Sequence, residues 1–83
     1  MKKFYITFRS VTPAQRGQRV LRAGGIHTIL QRTPRWMEER GCGYYLQLKE
    51  WEVRRAVELI RSADLPFSKV YEEEEGTITE WNL

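Results

Sequence analysis

Little in this 83-residue chain would staple or anchor a protein from outside its own core. There is one cysteine, so no internal disulfide can form. Cys42 and the single histidine, His27, are the only soft ligands, too few for a private zinc site, and neither a metal nor another cofactor is expected. No stretch has the basic start and apolar run of a secretory leader. None approaches the roughly 18 to 20 apolar residues of a membrane span, so no membrane partner is expected. A reducing, cytoplasmic setting is the expectation that follows. Internal repeats and Pro/Ser-rich linkers are missing too, which leaves one domain near the lower size limit for a self-sufficient core.

What is present suits a small globule. Hydrophobic residues make up 41% of the chain and include three Trp, four Tyr and three Phe, while 30% of residues are charged. Those proportions support a packed core inside a wet surface. The net charge of +3 is unevenly spread: all 14 Lys and Arg lie within residues 2–69, beside six acidic residues, and Glu72, Glu73, Glu74, Glu75 and Glu80 follow. The expected organisation is a basic body over residues 1–72 and an acidic C-terminal tail over residues 73–83. A basic body attracts nucleic acid or acidic protein surfaces, and an acidic tail screens it, although solvated charge is the plainer account of both.

Read in order, Phe4, Ile6 and Phe8 alternate with Tyr5 and Thr7, the period of a half-buried strand. Thr12, Pro13 and Gln15 spell an N-cap, a first-turn proline and a capping box, predicting a helix from Pro13 to about Ala23 that Gly24 and Gly25 end. A second strand is predicted over Ile26 to Arg32, with His27 facing solvent and Pro34 closing it. Trp36 to Arg40 reads as a single helical turn. Tyr44, Leu46 and Leu48 then alternate with Tyr45 and Gln47 as a third strand. Val53, Ala56, Val57 and Ile60 share one face of a helix predicted over Glu50 to Ala63, which Asp64 and Pro66 stop. A fourth strand over Phe67 to Glu72 surrounds Val70. Beyond Tyr71 the period is lost, so Glu72 to Glu75 should be exposed, and removing residues 74–83 should leave the body folded.

That order, β-α-β-β-α-β, predicts an α+β protein of ferredoxin-like topology: a four-stranded antiparallel sheet with both helices on one face and the other face open. Strands one and three should be neighbours. The expected core is Phe4, Ile6, Phe8, Leu21, Leu30, Leu46, Leu48, Val53, Val57, Ile60 and Val70.

Chemistry is expected at the connection between strands two and three, which carries Arg40-Gly41-Cys42-Gly43. Glycine on both sides of Cys42 removes the side chains that would wall off its sulfur and lets the thiol stand at a loop tip. Arg40, two residues earlier, favours the thiolate, the nucleophilic form. Against this stands the reading of Cys42 as a small buried hydrophobe at the start of a strand.

Several pieces together resemble one family. Tyr5-Ile6-Thr7-Phe8, then Ala23-Gly24-Gly25-Ile26, then Pro34-Arg35 shortly before Cys42-Gly43, and a final Val70-Tyr71 look like the selenium/sulfur carrier-like family of small bacterial proteins. The likeness covers most of residues 4–71. The serine-rich run that often precedes the family's cysteine is replaced here by Glu39-Arg40-Gly41. The resemblance implies a carrier in which Cys42 takes a sulfane sulfur or selenium atom from a donor protein such as a cysteine desulfurase and passes it to an acceptor protein. Gly41 and Gly43 would give access, and Arg35 or Arg40 would stabilise the anion. No general base or substrate pocket is apparent, so an accessory carrier fits better than an enzyme with its own turnover.

The rival class is a binding module of the same topology, either a protein-interaction domain or an RNA-binding one. Arg40-Gly41-Cys42-Gly43-Tyr44 echoes the third-strand signature of RNA-recognition motifs, and Tyr5 matches their first-strand aromatic. Cys42 stands where the signature needs a stacking ring, and Gln47 where it needs a core aromatic, so nucleic acid is the less favoured partner. A homodimer through the open sheet face is the remaining partner expectation.

Overall fold

A computed structural model of the chain describes residues 2–34 and 43–81. Among these residues the chain forms two helices and one five-stranded antiparallel sheet, an α+β arrangement. The elements are β1 (Lys3–Phe8), α1 (Val11–Ala23), β2 (Leu30–Arg32), β3 (Tyr44–Lys49), α2 (Val53–Ser62), β4 (Val70–Glu74) and β5 (Thr77–Glu80). Across the sheet the order is β2-β3-β1-β4-β5. β1 and β3 are neighbours as expected, whereas the expected count of four strands is corrected to five.

The fifth strand comes from the stretch read as an acidic tail. β4 continues through the proposed boundary at residue 72 to Glu74, and the chain reverses in two residues, Glu75 (φ 51°) and Gly76 (φ 83°). Two successive positive φ values make the hairpin turn whose twist matches that of the flanking strands, and Glu74 then pairs with Thr77. Glu72 and Glu73 are consequently half-buried; only Glu74 and Glu75 are exposed as expected.

β1 is the central strand. Phe4, Ile6 and Phe8 point into one cluster with Leu46, Leu48 and Val70 from the sheet, Ala14 and Leu21 from α1, and Val53, Ala56, Val57 and Ile60 from α2. Both helices therefore cover the same face. Every expected core residue belongs to this cluster except Leu30, which is half-buried on the edge strand and packs against it. Gly17 is where α1 comes down on the sheet: a Cβ there would stand 2.9 Å from the Phe8 Cζ.

Four elements start elsewhere than the sequence predicts, β4 among them, at Val70 rather than Phe67. α1 starts at Val11 with Ser10 as its N-cap residue, rather than at Pro13 behind Thr12, and the Ser10 side chain makes no cap bond. Pro13 tolerates this because the first four N–H groups of a helix have no intrahelical acceptor, so a missing one there costs nothing. β2 is only three residues long because the preceding segment is tied to α1 instead of to β3: Ile26 N–H donates to Leu21 O (2.8 Å) and the Gln18 side chain to Thr28 O (2.9 Å). His27, exposed as expected, lies in that irregular segment. α2 starts at Val53, after a turn in which Lys49 N–H donates to the Glu52 carboxylate (3.1 Å).

The face away from the helices is occupied by polar and aromatic side chains. Tyr5 is only 7% exposed at its centre. Its ring meets Tyr45 edge to face at 5.2 Å, and its hydroxyl donates to the Glu73 carboxylate at 2.5 Å. The Tyr45 hydroxyl in turn donates to the Gln31 side-chain oxygen (2.6 Å). Gln47 is exposed and pairs with Tyr5 in register, so it lies on this face, not inside as the RNA-binding comparison placed it.

Candidate functional site

Register brings four chain ends to one end of the sheet. Phe8, the last residue of β1, pairs with Tyr44, the first of β3; Arg32, the last of β2, also pairs with Tyr44; and Ile6 pairs with Val70, the first of β4. The segment bearing the candidate cysteine therefore leaves the sheet at this end.

Its base is closed by a hydrogen bond from Thr33 N–H to Gly43 O (2.9 Å), one step beyond the Arg32–Tyr44 pair. Gly43 and Thr33 are both buried, and Pro34 is half-buried. The Thr33 hydroxyl is sealed from solvent and has no hydrogen-bond partner among the described residues. Of the candidate site residues, only Gly43 is described, and it forms the buried root of the connection, where a side chain is absent and the carbonyl serves the β2–β3 ladder. Arg35, Arg40, Gly41 and Cys42, together with the predicted turn over Trp36 to Arg40, lie outside the described residues.

On the other flank of β1, backbone and side chain together extend the β1–β4 ladder. Thr7 N–H donates to Lys69 O (2.9 Å), Ser68 N–H to Thr7 O (2.7 Å), and Lys69 N–H to the Thr7 hydroxyl (3.0 Å). Thr7 is 1% exposed, so these bonds are shielded from water and hold residues 68–69 firmly beside the end of β1. Between this segment and the start of α1 lies an open recess of about 500 Å³ lined by Arg9, Ser10 and Pro13 on one side and residues 66–69 on the other. Sequence reading did not single out Arg9 or Lys69. Sixty residues separate them in the chain, and only strand pairing makes them neighbours.

The one strongly perturbed titrating group among the described residues is on the open face. Burial pushes the Tyr5 phenol well above its usual range, and the hydrogen bond to Glu73 with that carboxylate's charge adds to the effect. Tyr5 is thereby a neutral donor at any physiological pH. No helix among the described residues is long and apolar enough to cross a membrane.

Comparison with known proteins adds one finding: a family model described as "Putative Se/S carrier protein-like" matches residues 3–72. No curated protein and no solved structure matches the chain.

Proposed function

Because the chain belongs to this Se/S carrier protein-like family, we propose that it carries a sulfane sulfur or selenium atom on Cys42. The family match carries the reading, since it spans Cys42 as well as the strands and helices around it. The fold is consistent with such a role: a hydrogen bond from Thr33 N–H to Gly43 O closes the base of the cysteine-bearing connection at one end of the sheet. The first four strands and both helices read as a ferredoxin-like body, to which β5 adds an edge.

The chemistry asks little of the carrier. The Cys42 thiolate attacks the outer chalcogen of a donor's persulfide or perselenide; the new bond to Cys42 forms as the donor's bond to that atom breaks, and the donor thiolate leaves with the electron pair. No external oxidant is required. Arg35 and Arg40 supply positive charge near the anion in sequence, and Gly41 and Gly43 flank Cys42 without side chains. A cysteine desulfurase fits the donor side, with an acceptor protein to follow.

The open face gives the RNA-binding alternative little support. Stacking needs exposed rings, whereas Tyr5 is buried edge-on against Tyr45 and its hydroxyl is held by Glu73, whose carboxylate repels phosphate. Tyr44 pairs with Phe8 and packs on the core side.

The test is direct. Incubated with a cysteine desulfurase and cysteine, the chain should gain the mass of one sulfur, reversed by dithiothreitol, and Cys42→Ser should gain none. Equal labelling of both chains, or of neither, would remove Cys42 from the role.

A further inference from the structure

The recess at the end of β1 has a composition that the carrier role does not by itself require. Arg9 and Lys69 both line it, and both residues are exposed. A third cation stands behind the wall, where the Arg61 guanidinium lies 6.0 Å from the Phe67 ring centre. Among the described residues the carboxylate paired with them is Glu80, 3.6 Å from the Lys69 amine, and both of those side chains remain more than half exposed. Ser10 and Ser68 add hydroxyls, and the Ser10 hydroxyl is not spent on capping α1. Pro13, Pro66 and Phe67 supply the apolar surface.

Exposed cations beside an apolar wall suit an organic anion. A bare inorganic oxyanion would use the charges and leave most of the wall wet, whereas a volume of about 500 Å³ lies in the range of sites for small organic ligands. Position narrows the class further. Phe8 pairs with Tyr44, so Arg9 follows β1 at the same sheet end where Gly43 precedes β3. A ligand held by Arg9 and Lys69 thus sits one strand away from the root of the cysteine segment.

The geometry points to this recess as the binding site of a low-molecular-weight persulfide that bears carboxylates, of amino-acid to tripeptide size, serving as a small-molecule donor to Cys42; this rests on the carrier reading above. Its carboxylates pair with Arg9 and Lys69, the latter exchanging its surface contact with Glu80, and its carbon skeleton lies on Pro13, Pro66 and Phe67. In the transfer, the Cys42 thiolate attacks the outer sulfur of R–S–S–H. The Cys42–S bond forms, the donor S–S bond breaks, R–S⁻ leaves with the electron pair, and the proton stays on the transferred sulfur.

Binding and transfer are tested separately. For binding, the Cys42→Ser chain is titrated with reduced glutathione, which has the carboxylates and skeleton but no transferable atom. Saturable amide shifts at Ser10 and residues 67–69 are expected, weakened at least fivefold by Arg9→Ala with Lys69→Ala and by raised salt, and not reproduced by inorganic phosphate. Absence of saturable shifts at millimolar glutathione, shifts unaffected by the double substitution, or the same shifts from phosphate would overturn the proposal. Matching melting temperatures for the two chains show that the double variant is folded. For transfer, the cysteine-containing chain is offered glutathione persulfide and, separately, a desulfurase persulfide, with loading read by mass. Slower loading of the double variant from glutathione persulfide alone supports the donor site. Equal loading of both variants from both donors overturns it and leaves the carrier reading standing. Glutathione binding with no loading from either donor removes the carrier reading, and the donor role with it, while the recess remains a carboxylate site.

Discussion

Trp81 meets Phe4 edge to face, with 5.4 Å between ring centroids and 72° between ring planes. The last described residue thereby packs on the first strand's contribution to the core. Trp81 N–H also donates to Val70 O (2.7 Å), and the Arg54 guanidinium lies 5.8 Å from its ring centre. A C-terminal stretch that lacks any period of its own is thus held by β4, by β1 and by α2.

Stability should therefore depend on residues beyond 74. Trp81→Ala is expected to cost about 2 to 3 kcal/mol, less than a fully buried tryptophan because the ring is half-exposed, with the lost aromatic pair included. Deleting residues 74–83 should cost more, since it also strips the β4 edge of its partner. Urea unfolding checks both. An unchanged midpoint on truncation would mean that β5 adds nothing to the fold.

Gly17→Ala should be destabilising in spite of helix propensity. Alanine gains about 1 kcal/mol over glycine inside a helix. Here its methyl would press at 2.9 Å on the buried Phe8 ring, a crowding that costs roughly 1 to 3 kcal/mol. The same substitution placed in a Phe8→Leu chain should lose most of that penalty, which a double-mutant cycle would show as coupling between the two sites. Additive effects would mean that α1 simply moves outward.

Alkaline pH should weaken the fold through Tyr5. Its folded-state pKa is raised, so its contribution is complete below the pKa of a solvated tyrosine, 10.0, and is lost as pH rises from there towards the folded value. In that window the unfolded chain releases a proton that the native chain keeps, a loss of up to about 1.4 kcal/mol per pH unit. Tyr5→Phe removes this component while lowering stability at neutral pH by the lost bond to Glu73. Unfolding midpoints at about pH 9 and pH 11 for the two chains should converge at the higher pH; parallel curves would exclude Tyr5 as the group responsible.

The proposed carrier thiol makes a paired prediction. Cys42 should alkylate faster at neutral pH than free cysteine, through the charge of Arg35 or Arg40, and Cys42→Ser should barely change the melting temperature. Slow alkylation together with a strongly destabilised serine variant would identify a buried, structural sulfur instead. Arg35→Ala with Arg40→Ala should slow alkylation without affecting the melt.

Local pattern and tertiary context divide this protein cleanly. Alternation in Phe4 to Phe8 and in Tyr44 to Leu48, and the shared face of Val53, Ala56, Val57 and Ile60, are properties of a few adjacent residues, so the central strands, the second helix and nearly all of the core could be read from the chain. The order of Pro34-Arg35 and Cys42-Gly43 among those elements was likewise enough to point to the family. The Glu75-Gly76 hairpin was legible in principle as a glycine in a two-residue turn, but Thr77 to Glu80 bury only half of Ile78 and carry no apolar alternation to announce a strand. β5 exists because β4 offers it an open edge. Tyr5 has the position of a solvent-facing strand residue, yet Tyr45 and Glu73 cover it from the two neighbouring strands. Arg9 and Lys69 became one recess for the same reason. Periodicity reports which way a side chain points, a property of local backbone geometry; what it meets there depends on strand register between segments far apart in the chain, which only the folded arrangement decides.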